Sequence, residues 1–284
     1  MSLFTKNCLR ISGIAIVLGV VLVSIALVSG VSINGSNRRD YVLDFNSEYN
    51  DEITSIKIEL NIADVKIKRG DTFAIDAKNM NKKTFNSYVE NNVWTIKDDE
   101  HNGFEVFGHV IPYFNNDDYN TKYNVTIYIP DNFAPENLVI EIGAGRVELC
   151  DMEAGNVDLE MGAGELVANK LLVKNESNLE VGAGKIAIKD LTARDVTLDC
   201  GVGDIEIKGD IRGNSSANCG MGNISIKLKE PENRYDFSLS CGLGNINING
   251  DNYSFTSDSN IFGSNAEYEF DIECGVGNVE IRNE

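Results

Sequence analysis

The sequence predicts an all-β protein, a β-solenoid of stacked coils of about 19–20 residues, preceded by one N-terminal transmembrane helix. Three observations carry this prediction. An uncharged apolar run occupies residues 11–33, a Gly-x-Gly phrase recurs seven times in the second half of the chain, and apolar residues alternate with polar ones around each glycine pair. Alternation with a period of two is typical of strands, and a repeat of this length is typical of stacked architectures.

The apolar run is long enough to cross a bilayer. As a helix rising about 1.5 Å per residue, residues 11–33 would span about 34 Å. Lys6 and Arg10 precede the run, so the positive-inside rule favours a cytoplasmic N-terminus at residues 1–10. This predicts a single-pass protein of the cell membrane, with an extracytoplasmic β domain behind a linker at residues 34–51. A signal peptide cleaved near Gly30 stays open as the alternative.

The chain is acidic, with a formal charge of −19 at pH 7. Its first 39 residues hold four basic residues and no acid, which leaves −23 for the remainder. Nucleic-acid phosphates and anionic lipid headgroups repel such a surface. We therefore expect no nucleic-acid partner. The expected partners are the membrane, through the N-terminal helix, and an envelope protein or glycan.

Seven units make up the regular part of the predicted solenoid, residues 141–284. Their first glycines are 19, 20, 19, 19, 22 and 33 residues apart, and the longest interval predicts a surface loop at about residues 249–265. A unit this short cannot bury its apolar face alone, so neighbouring units must stack. Glycine suits the bends because it permits positive φ and close approach of successive coils. The structural glycines of the repeat are Gly143, Gly145, Gly162, Gly164, Gly182, Gly184, Gly201, Gly203, Gly220, Gly222, Gly242, Gly244, Gly275 and Gly277.

Residues 52–140 form an irregular N-terminal part of the same β domain. Residues 58–67 match the repeat with Asn61 and Ala63 where the glycines would stand, as expected of a degenerate end coil. Residues 88–96 alternate around an Asn-Asn pair and predict a hairpin. The aperiodic, aromatic stretch 100–121 is interpreted as a long loop, either a lid on the open end of the stack or a contact patch.

A family resemblance rests on three features in chain order: the proline-terminated strand 123–130, the strand 138–142 and the reiterated Gly-x-Gly units. Over residues 50–284 the chain resembles the bacterial β-strand-repeat family called putative adhesins, a domain of unknown function. The resemblance implies an N-terminal membrane anchor and a setting among envelope-stress and antibiotic-response proteins. It implies no catalytic residue.

Four cysteines share one position in the repeat, immediately before the first glycine. In earlier units Ile142, Met161 and Val181 hold that position, which indicates a buried apolar site. Thiols stacked at the strand spacing of about 4.8 Å fit neither a zinc tetrahedron nor unstrained disulfides. We therefore expect reduced core thiols at Cys200, Cys219, Cys241 and Cys274, and we place Cys150 at a coil corner.

The sequence offers little catalytic chemistry. Its two histidines, His101 and His109, both fall in the aperiodic stretch, and the glycine pairs precede strands instead of the helix that a phosphate-binding loop requires. We predict no enzyme activity and no cofactor. Because β-helix folds host polysaccharide-cleaving enzymes and carboxylates are plentiful, such an enzyme stays open as a less favoured alternative.

One column of acids is the candidate metal site. The residue two before the first glycine is acidic in four consecutive units, and alternation points these side chains outward. Stacking would place them about 4.8 Å apart, where each pair repels by about 1 kcal/mol in water. Either the side chains splay into solvent or the column collects divalent cations. We call this column, Glu141, Glu160, Glu180 and Asp199, the acid ladder.

These observations predict a non-catalytic, membrane-anchored, extracytoplasmic β-repeat protein. Its expected role is that of an adhesin-like interaction or scaffold module of the cell envelope. The alternative is an accessory or sensor component of an envelope-stress or antibiotic-response system.

Overall fold

The computed structural model describes residues 42–98, 103–106, 109–112, 123–254, 259–261 and 266–284. These residues form eighteen strands and one 3-10 turn, Glu232–Arg234. The strands are β1 Val42–Tyr49, β2 Ser55–Gly70, β3 Phe73–Asn81, β4 Phe85–Glu90, β5 Val93–Asp98, β6 Gly103–Val106, β7 His109–Pro112, β8 Asn124–Pro130, β9 Asn137–Leu149, β10 Met152–Ala154, β11 Asn156–Val173, β12 Ser177–Arg194, β13 Val196–Arg212, β14 Asn214–Leu228, β15 Tyr235–Ile248, β16 Asp251–Ser254, β17 Ser259–Ile261 and β18 Tyr268–Asn283.

The predicted fold class is wrong as stated, because it placed a transmembrane helix before the β-solenoid. Among the residues described, no helix is long and apolar enough to cross a membrane. The architecture there is all-β, since apolar residues recur at every second position and this period produces strands. The apolar run 11–33 lies outside the described residues.

The centre of the molecule is a parallel stack of long, bent strands. β9, β11, β12, β13 and β14 stack in chain order, and the short β10 pairs with the end of β11. Every repeat glycine of these strands lies beside its equivalent in the next one. Each strand bends at its glycine pair and makes one coil. In β11 the inward residues before the bend are Val157, Leu159 and Met161, all at most 2% exposed. The alternation therefore builds one continuous apolar core.

The C-terminal end departs from the sequential order. β18, the last strand in sequence, lies between β14 and β15 and pairs with both in parallel register. The interval predicted as a surface loop contributes β16 and β17, which pair antiparallel with β15. These two strands cover much of the last coil's edge, which would otherwise offer unpaired backbone groups. The chain thus leaves the stack, caps it and returns one layer inside.

Antiparallel strands complete the N-terminal end. β2 pairs with β9 on one side, and on the other with β5 and then β8. β4 and β5 form the predicted hairpin, which turns at Asn91 and Asn92 with positive φ. Trp94 is fully buried against Tyr49 and Phe73 and donates a hydrogen bond to Ser87. Within the stretch predicted as a loop, β6 and β7 pair antiparallel, and the residues around them lie outside the described ranges.

Close backbone contact at the bends explains the glycines. A Cβ on Gly203 would lie 1.9 Å from the carbonyl oxygen of Gly184 in the preceding coil, and Gly203 has a φ of +149°. Asn61 and Ala63 replace the glycines only in β2, between the stretches that pair with β5 and β8. Side chains are therefore tolerated at the end coil and excluded within the stack.

Gly203→Ala should destabilise the domain by more than about 4 kcal/mol, because the added methyl meets backbone that cannot move alone. Gly250→Ala is the matched control, since that glycine also has a positive φ, +100°, but a Cβ there meets nothing within 4 Å. Strain alone should then cost about 1–3 kcal/mol. Denaturant unfolding followed by circular dichroism measures both. Equal losses would contradict the packing explanation.

Ile281→Ala should cost about 2–5 kcal/mol although it lies near the end of the chain, because Ile281 is 0% exposed in an internal strand. Arg282→Ala, one residue further on and largely exposed, serves as the control and should change stability by less than about 1 kcal/mol. If the two variants unfold at the same denaturant concentration, β18 is frayed and not internal.

Candidate interaction surface

The residue between the two glycines of each repeat lies at the outer corner of its coil. Strand pairing aligns these residues in one column, which begins Ile62, Ala144, Ala163, Ala183 in β2, β9, β11 and β12. In the last four coils, in stacking order, the column continues with larger apolar residues. We call these residues, Val202, Met221, Val276 and Leu243, the corner ridge.

The corner ridge is exposed. Val202, Val276 and Leu243 are 44%, 45% and 64% exposed, and Met221 is half-buried between Val202 and Val276. Three of the four exposed large apolar residues in the described part of the chain therefore belong to one continuous column. Single exposed apolar side chains are ordinary, whereas a contiguous row of them marks an interaction surface.

The column two residues beyond the ridge changes its chemistry along the stack. Beside the alanine half it is charged, with Arg146 paired to Glu165 and Lys185 2.6 Å from Glu206 of the next coil. Beside the ridge it becomes a ladder of amides. Asn223 donates to Asp204 at 2.8 Å, Asn278 donates to Asn223 at 3.1 Å, and Asn245 follows in register. The larger apolar residues thus coincide with a largely uncharged flank.

The acid ladder lies on the other side of the corner. Its four members are neighbours in register, as predicted, and the column continues to Glu59 at one end and Asn218 at the other. At each end a neighbouring side chain binds the terminal carboxylate. Lys57 lies 2.8 Å from Glu59, and the Asn218 amide donates to Asp199 at 2.7 Å.

At Glu141 the surroundings disfavour the ionised carboxylate. Its pKa is raised, first by burial, against the opposing charge of Lys57 and with smaller contributions from the charges of Glu59 and Glu160. Throughout the described ranges, no three histidine, cysteine or acidic side chains converge closely enough to hold a metal ion. Cation binding by the acid ladder stays a prediction.

The cysteines form a second column, inside the corner. Cys200, Cys219 and Cys274 are neighbours in register, each 4% exposed and none of them in a disulfide, which confirms that these thiols lie in the core. The backbone places Cys241 next to Cys274. The pKa of Cys200 is raised by its hydrogen bond with Cys219 and by burial. Cys200 therefore contributes packing and no reactive thiolate.

The remaining candidate residues from the sequence do not come together in a site within the described part of the chain. Cys150 is half-buried, and burial raises the pKa of its thiol against the opposing effect of Arg69. His101 lies outside the described residues, and His109 is placed in β7 by its backbone alone. The corner ridge was missed from sequence. Its signal was the change from Ala to Val, Met and Leu between the glycines of successive units.

Comparison with known proteins identifies a family. The family model described as Toastrack DUF4097 matches residues 53–282. No curated protein matches the chain.

Several solved structures resemble the chain at low similarity. A putative adhesin from Bacteroides fragilis has 12% identity and a TM-score of 0.39, covering 87% of this chain and 100% of its own. A putative cell adhesion protein from Clostridium sporogenes has 13% identity and a TM-score of 0.35, covering 86% and 100%. A putative lipid binding protein from Parabacteroides distasonis has 13% identity and a TM-score of 0.40, covering 84% and 96%. Similarity at this level carries no argument about function.

Cys219→Asp should cost at least about 3 kcal/mol or unfold the domain, because it buries an unpaired charge between Cys200 and Cys274. Cys219→Val is the control, since Val181 holds the same position two coils away, and it should cost less than about 1.5 kcal/mol. Thermal melts compare the two. A wild-type midpoint for Cys219→Asp would mean that the column faces solvent.

Glu141→Gln should raise the melting temperature at pH 7. The raised pKa means that the ionised carboxylate is disfavoured in the fold, so the penalty is present above the folded pKa and vanishes as pH falls below the unfolded value. The gain should therefore disappear near pH 4. Glu136→Gln, at an exposed position outside the acid ladder, is the control. An unchanged melting temperature at pH 7 would show that the ionised carboxylate of Glu141 is not disfavoured in the fold.

Proposed function

We propose that this chain, which belongs to the Toastrack DUF4097 family, is a non-catalytic interaction protein of the adhesin type that binds its partner through the corner ridge. The proposal includes a cell-envelope setting for the β domain, which rests on the family resemblance. The single observation that carries the interaction surface is the row of exposed apolar side chains at the bends of the last four coils.

The energetic basis is burial of apolar area. Covering a large aliphatic side chain completely stabilises a complex by about 1.5–3 kcal/mol before the cost of association. Leu243, at 64% exposure, has the most to gain, and Val202 and Val276 each expose nearly half of their surface. The three exposed residues, with the half-buried Met221 between them, together offer apolar area for a modest contact.

The stack holds the ridge rigid, which favours binding. Cys200, Cys219 and Cys274 lie immediately before the bends and are buried, while the glycine pairs hold neighbouring backbones in contact. The ridge side chains therefore lose little backbone freedom when a partner covers them. A rigid, preorganised row of side chains is what a scaffold or adhesin contact requires.

A double substitution on the ridge tests the proposal. Leu243→Ser with Val276→Ser should abolish co-purification of the partner with the tagged full-length chain, because it removes apolar area without adding charge. Ala163→Ser with Ala183→Ser is the control, since both residues occupy the same column in the alanine half. Quantitative mass spectrometry of material captured from source cells measures the loss, and a second, differently tagged copy expressed in the same cells distinguishes a captured copy of the chain from the bait. Retention of the same partners by the ridge variant at wild-type levels would refute the proposal.

A further inference from the structure

The surface around the corner ridge is self-complementary in shape. In each of the last four coils the residues immediately before and after the ridge residue are glycines. The corner ridge is therefore flanked on both sides by a groove of backbone without side chains. Strand spacing sets the ridge side chains about 4.8 Å apart. In-register columns of this kind can pack against each other as dry, interdigitated contacts, since the side chains of one surface have the same spacing as those of the other.

From this geometry we propose that the partner of the ridge is the same ridge of a second copy of this chain, packed antiparallel about a twofold axis. The inference rests on the proposed function and names its partner. A twofold axis through the centre of the ridge places Val202 of one copy against Leu243 of the other, and Met221 against Val276. The contact is isologous, so each copy contributes the same surface and the assembly closes as a dimer.

Charge selects the antiparallel arrangement. The axis brings each flank of one copy over the same flank of the other, in reversed order along the stack. On the acidic flank Asp199 then faces Ser240 and Asn218 faces Glu273. On the amide flank Asp204 faces Asn245 and Asn223 faces Asn278, so no carboxylate faces a carboxylate. In the parallel arrangement Asp199 would face Asp204, and like charges across an interface disfavour association.

The position on the stack also fits a second copy. Two chains of charge −19 repel each other over most of their surfaces. The alanine half of the corner, flanked by Arg146, Glu165 and Lys185, offers little apolar area, whereas the ridge half combines the largest apolar residues with the amide ladder. Close approach of two copies is least opposed there.

Four side chains cover less than the roughly 800 Å² per partner of a standard interface, so the self-association is weak and concentration-dependent. A covalent probe used in living cells captures such a contact without purification of the full-length chain. Replacing Leu243 by the photoreactive residue p-benzoylphenylalanine places the probe at the end of the ridge. The same replacement of Ala163 is the matched control.

Two differently tagged copies of the full-length chain are expressed together and irradiated. The expected result is an adduct of twice the chain mass that carries both tags, at least fivefold more abundant from the Leu243 probe than from the Ala163 probe. Its crosslinked peptide should contain Val202. Asn245→Asp should lower the yield, because it sets a carboxylate opposite Asp204 of the other copy, and Asn245→Lys should raise it.

Three outcomes would overturn the inference. An adduct with another protein or a lipid would reject a second copy as the partner while leaving the ridge as the proposed interaction surface. A two-tag adduct crosslinked at Leu243 of both chains would reject the antiparallel arrangement. Equal yields from the Leu243 and Ala163 probes would reject both the second copy and the ridge.

Discussion

Direct contact between backbones at the glycine bends is the constraint on which the rest of the structure depends. Each second glycine of the repeat lies so close to its neighbour that a Cβ would be less than 2.1 Å from a carbonyl oxygen. That spacing holds successive coils in one register. The register in turn places like positions of the repeat in columns, so one residue of the repeat determines the chemistry of a whole line along the molecule.

Three columns next to the bends show how the position in the repeat determines the type of residue found there. The residue before the first glycine points inward and is apolar, as in Met161, Val181 and Cys200. The residue before that points outward and is acidic over much of the stack. It includes Glu141, whose pKa is raised first by burial and to a smaller extent by the neighbouring acids. The residue between the glycines points outward at the corner, and there the chain replaces alanine by larger apolar residues over four coils. We infer that the first column supports the fold and the third supports interaction.

The repeat could be predicted from sequence because its signals are local. Alternation and glycine spacing identify the strands, their inward faces and the cysteine column. The position of β18 could not be predicted, since Gly220, Gly242 and Gly275 begin equivalent units and local pattern does not distinguish which two are neighbours. The transmembrane helix was predicted from residues outside the described ranges, and no helix of the described part spans a membrane. The ridge depends on exposure and on stacking order, which sequence alone does not supply.

Footprinting of the chain in intact cells tests most directly whether the corner is an occupied interaction surface. Carbene labelling would be compared between cells and dilute purified full-length protein, residue by residue along the corner column. We predict that labelling of Val202, Met221, Val276 and Leu243 falls several-fold in cells, while labelling of Ala163 and Ala183 stays the same. Equal labelling of the ridge in both conditions would contradict it.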